Sequence, residues 1–330
     1  MIPTGMHAVR VNSAGDASVM QLEQRGVPLP AAGEVLIRVE WAGVNFIDVY
    51  KRSGAYRTPL PFTLGEEGAG TVVARGEGVN DIETGARVAW AQTPGSYSEY
   101  IVAPASRVVP VPDNVSTRDA AAVMLQGMTA HYLATSTFPL KQGSTCLVHA
   151  SAGGVGLLLV QIARKLGAVV IGTAGSPAKL ELARNAGANE VINYSTSDFV
   201  AETRRITNGR GVDVVYDSVG ASTFLAGFDV LAPRGMMVLF GQSSGAVAPL
   251  DPQLLNHKGS LFLTRPSLGA YIANRDEMLH RANELFSWVG GGTLHVRIGA
   301  EFPLADVAEA HRALEGRRTT GKVLLKVAPD

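Results

Sequence analysis

The turn at residues 151–156, SAGGVG, limits the possible folds of this chain more than any other stretch. The apolar run 145–150 before it is typical of a buried parallel strand, and a helical pattern follows at 155–166. Gly167 ends that helix, and the apolar run 169–173 completes a strand–helix–strand unit. Small residues let a pyrophosphate approach the backbone, and the helix N-terminus offers it free N–H groups. The pattern predicts dinucleotide binding, although Ser151 replaces the first glycine of the usual fingerprint.

Composition excludes several classes of protein and site. The 330 residues suffice for two domains, and 46% of them are apolar, enough for a substantial core. A formal net charge of zero argues against strong nucleic-acid binding or a membrane-surface patch. Cys146 is the one cysteine, so an internal disulfide and a multi-cysteine zinc site are excluded, and its position in the strand before the turn indicates a packing role.

No segment indicates export or membrane insertion. Residues 1–5 lack the basic and apolar regions of a signal peptide. No apolar run reaches the roughly 20 residues that are needed to cross a bilayer. We therefore expect a cytoplasmic protein without a membrane anchor.

The first part of the chain has the pattern of a β domain. Short apolar strands broken by Gly and Pro recur at 7–11, 34–41, 70–74 and 87–90, and the prolines at 108–112 suit an edge strand. This spacing predicts a compact barrel-like domain. Residues 117–133 then become helical, with a second helix expected at 129–134, and we take this as the crossing into the cofactor domain.

Strands and helices alternate after the glycine turn. Strands are expected at 190–194, 212–217, 235–240 and 260–264, with helices from Ser176 to about 185, near 199–207 and near 222–231. This alternation predicts a parallel sheet covered on both faces. The tail holds helices at 274–289 and 304–314 and a last strand at 322–327 that has no obvious place in that sheet. We expect the tail to rejoin the β domain, with the active site at the carboxyl ends of the parallel strands, in a cleft between domains.

The end of the second strand bears on the choice of nicotinamide cofactor. An NAD site usually places an acid there to accept from the ribose 2′-OH. Residues 173–179 hold no acid but end in Lys179, whose charge would attract a 2′-phosphate, and Tyr194 adds a hydroxyl at the end of the third strand. The pattern favours NADPH over NADH, with an ordinary exposed helix lysine as the alternative for Lys179.

Three segments carry a family resemblance across essentially the whole chain. The stretches 149–156, 43–54 and 240–245 resemble the NADPH:quinone oxidoreductases, the zinc-free, zeta-crystallin-like branch of the medium-chain dehydrogenases/reductases. The stretch 264–268 is similar to the bacterial quinone reductases. The resemblance implies an α/β plus β fold: a Rossmann doubly wound parallel sheet at 126–265, and a discontinuous GroES-like β-barrel domain at 1–125 and 266–330. It also implies a homodimer.

The sequence departs from the zinc-dependent alcohol dehydrogenases of the same superfamily. Those enzymes keep a cysteine near the position of Asn45, a Gly-His-Glu motif where this chain has Gly65-Glu66-Glu67, and a four-cysteine lobe that one cysteine cannot form. The seven histidines show no short ligand spacing. Without zinc no Lewis acid lowers the pKa of an alcohol, so we expect no metal and no alcohol oxidation.

The resemblance also implies which residues form the site. Asn45, Gln126 and Thr129 would line the nicotinamide, and Gly153, Gly154 and Val155 would take the pyrophosphate. The remaining cofactor candidates are Gly175, Ser176, Lys179 and Tyr194 at the adenosine phosphate, Phe240, Gly241 and Ser243 at the nicotinamide ribose, and Arg317, whose register with Arg318 is open. Besides Asn45, the candidates for the substrate side are Tyr50, Tyr56 and Arg265, for which packing roles or a surface ion pair are equally open.

The leading functional hypothesis is an NADPH-dependent quinone oxidoreductase. A quinone accepts a hydride readily, so the protein mainly has to hold two flat rings together and exclude water. The nearest alternative is an enoyl or alkenal reductase, which needs a proton delivered to carbon after hydride transfer. The third is non-enzymatic: a cofactor-binding crystallin-like or RNA-binding protein.

Overall fold

The computed structural model describes residues 2–328, and its strands and helices have the following bounds. The strands are β1 Gly5–Val11, β2 Met20–Gly26, β3 Glu34–Val44, β4 Phe62–Thr63, β5 Glu67–Arg75, β6 Arg87–Ala91, β7 Tyr100–Pro104, β8 Val109–Pro110, β9 Thr145–Val148, β10 Val169–Ala174, β11 Glu190–Asn193, β12 Val212–Asp217, β13 Leu231–Leu239, β14 Phe262–Thr264, β15 Ile298–Pro303 and β16 Lys322–Lys326. The helices are α1 Phe46–Ser53, α2 Thr117–Tyr132, α3 Gly154–Lys165, α4 Pro177–Asn185, α5 Phe199–Ile206, α6 Phe224–Gly227, α7 Gln253–His257, α8 Leu268–Tyr271, α9 Arg275–Gly290 and α10 Val307–Glu315.

The chain divides into two units, which we call the β unit and the α/β unit. The β unit contains the chain up to Met128 and again from Ile272, and the α/β unit is Thr129–Tyr271. Two sheets form the β unit, one in the order β2-β1-β4 and one in the order β15-β16-β3-β5-β6-β8, with β7 also paired to β3. Their inward side chains, such as Val35, Ile37 and Val39, are fully buried in one core.

The last strand lies in the β unit, as the sequence predicts. β16 pairs antiparallel with β3, with Val323 opposite Val44 and Lys326 opposite Trp41. Val323, Leu324 and Leu325 are almost completely buried, so an apolar strand that the parallel sheet cannot accommodate gains its burial here. The two ends of the sequence therefore complete one sheet.

The α/β unit contains a six-stranded parallel sheet in the order β11-β10-β9-β12-β13-β14. The sequence runs outward from β9 first through β10 and β11, and then on the other side through β12, β13 and β14. Right-handed crossovers place the helices of these two directions on opposite faces, which gives the predicted doubly wound fold. The order reverses between β9 and β12, and the glycine turn follows β9 at this point.

Three features differ from the predicted elements. α2 is one helix from Thr117 to Tyr132 that continues as a π-helical turn, Leu133–Thr137, where two helices were expected. Gly127 lies inside α2. A Cβ there would lie 3.2 Å from Leu285 of α9, so the glycine permits the two helices to pack closely. β13 begins at Leu231, and only Phe224–Gly227 of the expected 222–231 helix is α-helical.

Four strands, β2, β4, β7 and β15, have no counterpart in the predictions. The burial of β15 alternates between half-buried and exposed residues, so its sequence lacks the apolar signal of an inner strand. Within residues 2–328, no helix combines the length and apolar character that a bilayer span requires.

Candidate functional site

The glycine turn is held against β10 by Ser151. Ser151 is fully buried, and both its backbone N–H and its hydroxyl donate to the carbonyl of Thr173, each at 3.0 Å. A Cβ on Gly172 would lie 2.8 Å from the Ser151 oxygen, so a glycine in β10 accommodates the serine side chain. The serine that replaces the first glycine of the fingerprint therefore fastens the turn to the neighbouring strand.

The start of α3 has the features of an anion site. Gly153 is the N-cap residue and has no side chain to cap the helix, while Gly153, Gly154 and Val155 remain half-buried in an otherwise buried segment. A Cβ on Gly156 would lie 2.4 Å from the carbonyl oxygen of Ala150, so only glycine lets the helix start this close to β9. Backbone N–H groups at a helix start with this access suit a pyrophosphate.

The candidates for the adenosine end lie together after the neighbouring strands β10 and β11. Ser176 is the N-cap residue of α4, which begins at Pro177 as expected, and Lys179 lies in its first turn, which contains no acid. The Tyr194 hydroxyl is 3.1 Å from the position of a Cβ on Gly175, so a larger residue at 175 would crowd the tyrosine. This end of the sheet presents a hydroxyl-rich surface and one cation.

The third candidate segment, 240–243, is fixed by the loop after β12. The N–H groups of Phe240 and Gly241 donate to the Asp217 carbonyl at 2.8 and 3.3 Å, and the Ser243 N–H donates to Ser218 at 3.1 Å. The buried Asp217 carboxylate accepts from the N–H of Val219 at 2.6 Å and from the hydroxyl of Thr223 at 2.8 Å. Asp217 was not among the predicted residues, although an acid at the end of an apolar strand was the available signal.

Arg265 and Thr129 also belong to the α/β unit. Arg265 is exposed and donates to the carbonyl of Leu239 in β13 at 3.1 Å, so it has a structural role there. Thr129 is buried in α2. The substrate role of Arg265 and the nicotinamide role of Thr129 stay predictions.

The β unit contains a buried polar cluster around Asn45, which we call the Asn45 cluster: Asn45, Glu67, Gln126 and Lys322. Lys322 and Glu67 form an ion pair in which the exposed fractions of the side chains are 1% and 0%. The Asn45 amide lies between them: Lys322 Nζ donates to its Oδ1 at 2.9 Å, and its Nδ2 donates to Glu67 Oε2 at 2.9 Å. Gln126 Nε2 also donates to Asn45 Oδ1, at 3.1 Å, so the structure brings these two predicted residues together.

Gly43 makes room for this cluster. A Cβ at Gly43 would lie 2.1 Å from Glu67 Oε2 and 2.7 Å from Lys322 Nζ. The other carboxylate oxygen of Glu67 accepts from the backbone N–H of Leu125 at 2.5 Å. Both oxygens of this buried carboxylate therefore have donors, which offsets the loss of its hydration. Sequence reasoning missed Lys322, because a lysine in an apolar C-terminal strand gives no local sign of its partner.

A second buried group lies next to Asn45. The Asp48 carboxylate accepts from the Asn45 N–H at 2.9 Å and from the Tyr97 hydroxyl at 3.0 Å. Burial, reinforced by the charge of Glu66, raises the pKa of Asp48 to about 8. The carboxyl is therefore protonated at neutral pH, and it closes a capping box at the start of α1.

His311 completes this second group. Arg52 is always a donor, so its contact with His311 Nδ1 at 3.3 Å leaves the proton on Nε2, which donates to Tyr97 at 3.2 Å. Burial, with the nearby charge of Arg52, lowers the pKa of His311 to about 3. The imidazole is therefore neutral, and Arg52 takes its counter-charge from Glu315 at 2.7 Å.

The remaining candidates of the β unit are two tyrosines and an arginine. The rings of Tyr50 and Tyr56 lie 5.1 Å apart and are tilted by 49°, and the N–H of Tyr56 donates to the Tyr50 carbonyl at 2.9 Å. Both side chains are half-buried, so the pair is accessible. Arg317 is exposed with a φ of 55°, just after α10, and its cofactor role stays a prediction.

Comparison with known proteins identifies both units. The zinc-binding dehydrogenase family matches residues 154–286, and the alcohol dehydrogenase GroES-like domain matches residues 31–113. A quinone oxidoreductase of Pseudomonas aeruginosa is 44% identical, covering 94% of this chain and 96% of that protein. A 2-haloacrylate reductase of a Burkholderia species is 41% identical, covering 96% of this chain and 98% of that protein.

A solved structure extends the comparison to the fold. The crystal structure of Escherichia coli quinone oxidoreductase complexed with NADPH superposes with a TM-score of 0.96 at 42% identity, covering 97% of this chain and all of that one. The predicted Rossmann sheet with a GroES-like β domain is confirmed by these matches.

The zinc named in one family description does not fit the donors in this chain. The amide of Asn45 is fully used inside its cluster, Glu67 is paired with Lys322, and Glu66 is paired with Lys51. Within residues 2–328 no group of three or more His, Cys, Asp or Glu side chains is arranged to hold a metal ion. These carboxylates are neutralised by lysine cations of the chain itself.

Sequence identity above 40% over nearly the full length, a matching fold and the same domain pair lead to one conclusion. The chain is an oxidoreductase that belongs to the quinone oxidoreductase family of the medium-chain dehydrogenases/reductases.

Proposed function

We propose that this protein reduces quinones with NADPH and without a metal ion. The observation that carries the proposal is the edge after β10 and β11, where Gly175, Ser176 and Tyr194 lie together and the first turn of α4 holds Lys179 and no acid. A carboxylate there would repel a 2′-phosphate, and a lysine attracts it. Relatives named quinone oxidoreductase, and one solved with NADPH, support the same assignment.

The residues assigned to the cofactor are as follows. Gly153, Gly154 and Val155 would bind the pyrophosphate, and Phe240, Gly241 and Ser243 would hold the nicotinamide ribose. Gln126, Thr129 and Asn45 are assigned to the nicotinamide, and Arg317 to a position near the cofactor. The close packing that Gly156 and Gly172 permit, with no room for a Cβ, fits a backbone shaped for a dinucleotide. When bound, the cofactor supplies the hydride.

The chain's own residues contribute positioning more than chemistry. Burial raises the pKa of the Cys146 thiol to about 12, so it supplies no thiolate nucleophile. His311 is neutral and already bonded at both ring nitrogens. A quinone reduced by hydride yields an oxygen anion that water protonates, so the reaction needs no dedicated acid. Tyr50 and Tyr56 are assigned to stack on the quinone or donate to its oxygen.

A second candidate function is the reduction of an activated carbon–carbon double bond. The 41% identical relative named 2-haloacrylate reductase supports it. That reaction needs a proton at carbon after hydride transfer, and we assign its delivery to the hydroxyl of Tyr50 or Tyr56. A non-enzymatic, cofactor-binding role in a crystallin-like or RNA-binding protein is the third candidate.

Absorbance at 340 nm separates the three. NADPH is mixed with the purified protein and 1,2- or 1,4-quinones, and then with alkenals, enones or 2-haloacrylate. We expect NADPH oxidation with quinones at rates well above those with the alkenes, and well above those with NADH. Turnover with the alkenes alone would favour the second candidate, and turnover with neither would favour the third.

We also propose a homodimer in the cytoplasm, without strong nucleic-acid binding. β14 is an edge strand of the parallel sheet, and Phe262 and Leu263 on it are 55% and 37% exposed, a surface that a second copy would cover. The formal net charge of zero gives no overall attraction to the phosphate backbone of nucleic acid. Light scattering after gel filtration measures the mass, and Phe262→Lys is expected to produce a monomer.

A further inference from the structure

The Asn45 cluster fixes the orientation of its two side-chain amides, those of Asn45 and Gln126. Lys322 is an ammonium, which only donates hydrogen bonds, and its partner Glu67 is a carboxylate that accepts on both oxygens. Both side chains are almost completely buried, so water does not supply alternative partners. The pair therefore defines a donor side and an acceptor side within the β unit.

Asn45 has one orientation compatible with this pair. Its Oδ1 faces the Lys322 ammonium at 2.9 Å and its Nδ2 faces Glu67 at 2.9 Å. Nδ2 also lies 3.3 Å from the carbonyl of Gly43, its second acceptor. A flipped amide would set two donors against each other and two acceptors against each other, so the pair decides the orientation chemically.

Gln126 is oriented by Asn45 in turn. Its Nε2 lies 3.1 Å from Asn45 Oδ1, which only accepts, so Gln126 has to present its NH₂ end there. Its carbonyl oxygen, Oε1, therefore points away from the cluster. Oε1 is buried and has no hydrogen-bond partner among the residues that the structure describes.

A buried carbonyl without a donor is costly, and a ligand that brings a donor removes that cost. We propose that Gln126 Oε1 accepts a hydrogen bond from an uncharged N–H or O–H donor of the bound ligand, and that Lys322 and Glu67 are positioning residues that fix this polarity. The inference rests on the proposed function. The donor is either the carboxamide N–H of the reduced nicotinamide or the O–H of a quinol product.

Ligand analogues that lack the N–H or O–H donor test whether Gln126 Oε1 acts as an acceptor. They also identify whether the donor belongs to the nicotinamide or to the quinol. Fluorescence titration compares NADPH with its 3-acetylpyridine analogue, in which a methyl group replaces the amide NH₂. Product inhibition compares a quinol with its methyl ether. We expect wild type to bind the donor-lacking member of one pair about tenfold more weakly, since about 1.4 kcal/mol corresponds to a factor of ten. Gln126→Met should bind both members of that pair alike.

A double variant tests the positioning role. Lys322→Met/Glu67→Gln removes both charges and keeps the volumes, so Asn45 and Gln126 become free to turn their amides. We expect the analogue discrimination to fall below about threefold, because Gln126 can then present either end, while NADPH still binds. The matched control is Lys51→Met/Glu66→Gln, which neutralises the other Lys–Glu pair of this region and should retain the full discrimination.

The outcomes separate this inference from the proposed function. Failure of wild type to bind NADPH would overturn the proposed function. Tight NADPH binding without discrimination in either analogue pair would overturn only the acceptor role of Gln126. Discrimination that persists in Lys322→Met/Glu67→Gln would overturn the positioning role of the ion pair.

Discussion

The glycine turn and the Asn45 cluster both bring segments of the chain close together, and they do so in different ways. The turn uses consecutive residues: Gly153 and Gly156 omit side chains, and Ser151 bonds to the adjacent strand. The cluster uses residues far apart in the sequence, with Lys322 reaching an asparagine 277 positions away. The first presents backbone N–H groups at a half-buried surface, and the second buries full charges. The difference shows that a backbone site can be recognised from sequence, whereas a side-chain cluster needs the assembled sheet.

The energetic cost of losing a binding partner also differs between the turn and the cluster. A backbone N–H at a helix start remains partly solvated when its ligand leaves. A buried carboxylate that loses its cation has no water to replace it. We therefore expect the largest effect on stability from the Asn45 cluster and selective effects on binding from the turn side.

The largest effect is expected from Lys322→Met. The substitution leaves Glu67 buried without its cation, which should cost about 3–5 kcal/mol of unfolding free energy. Urea unfolding followed by circular dichroism measures the loss. Lys322→Met/Glu67→Gln should recover most of it, because no charge then remains in the Asn45 cluster. Equal stability of Lys322→Met and wild type would show that the pair contributes nothing net.

Lys179→Ala should act on cofactor choice and leave folding intact. Loss of one charge-assisted hydrogen bond to a 2′-phosphate is worth about 1.5–3 kcal/mol, so NADPH affinity should fall roughly tenfold or more. NADH affinity should change little, because it lacks that phosphate. Titration of both cofactors against both proteins tests this, and equal losses would remove Lys179 from cofactor recognition.

Gly156→Ala should destabilise the turn. Its Cβ would lie 2.4 Å from the carbonyl oxygen of Ala150 and 2.8 Å from Ser151 Cα, and backbone atoms cannot move aside cheaply. We expect a loss of about 1–3 kcal/mol in urea unfolding. Gly153→Ala is the matched control, since its Cβ would meet the same oxygen at 3.1 Å with an ordinary φ of −77°. Similar losses in both variants would contradict the packing argument.

Asp48→Asn should change how stability depends on pH. The pKa of Asp48 is about 8 in the folded protein against an ordinary value of 3.8, so the folded state holds more protons between these values and stability falls as pH rises. His311, with its pKa lowered from 6.5 to about 3, acts oppositely, but only below pH 6.5. From pH 6.5 to 8, the unfolding free energy of Asp48→Asn should fall less steeply with pH than that of wild type. The difference in slope is at most about 1.4 kcal/mol per pH unit.

Urea unfolding at pH 6.5 and pH 8 measures this slope. Wild type should be less stable at the higher pH, and Asp48→Asn should lose less stability over the same interval. Identical changes in the two proteins would show that Asp48 does not titrate as its burial requires.

The predictability of the site follows the range of its contacts. α4 was expected from Ser176 to about residue 185, and it begins and ends there, because a proline at its first position and an apolar face are local signals. The single helix α2 was predicted as two, and the close packing of Gly127 against Leu285 of α9 involves a residue far away in the sequence. Lys322, Tyr97 and His311 were missed, since each lies far in sequence from its partners.

The sequence by itself determined the alternating strand–helix order, the glycine turn and the exclusion of disulfides, because these depend on neighbouring residues or on composition. The tertiary structure alone decided that a C-terminal lysine meets Glu67 and Asn45, and that Asp48 is neutral. The physical reason is that hydrogen-bond partners and desolvation arise only when strands β3, β5 and β16 come together in one sheet.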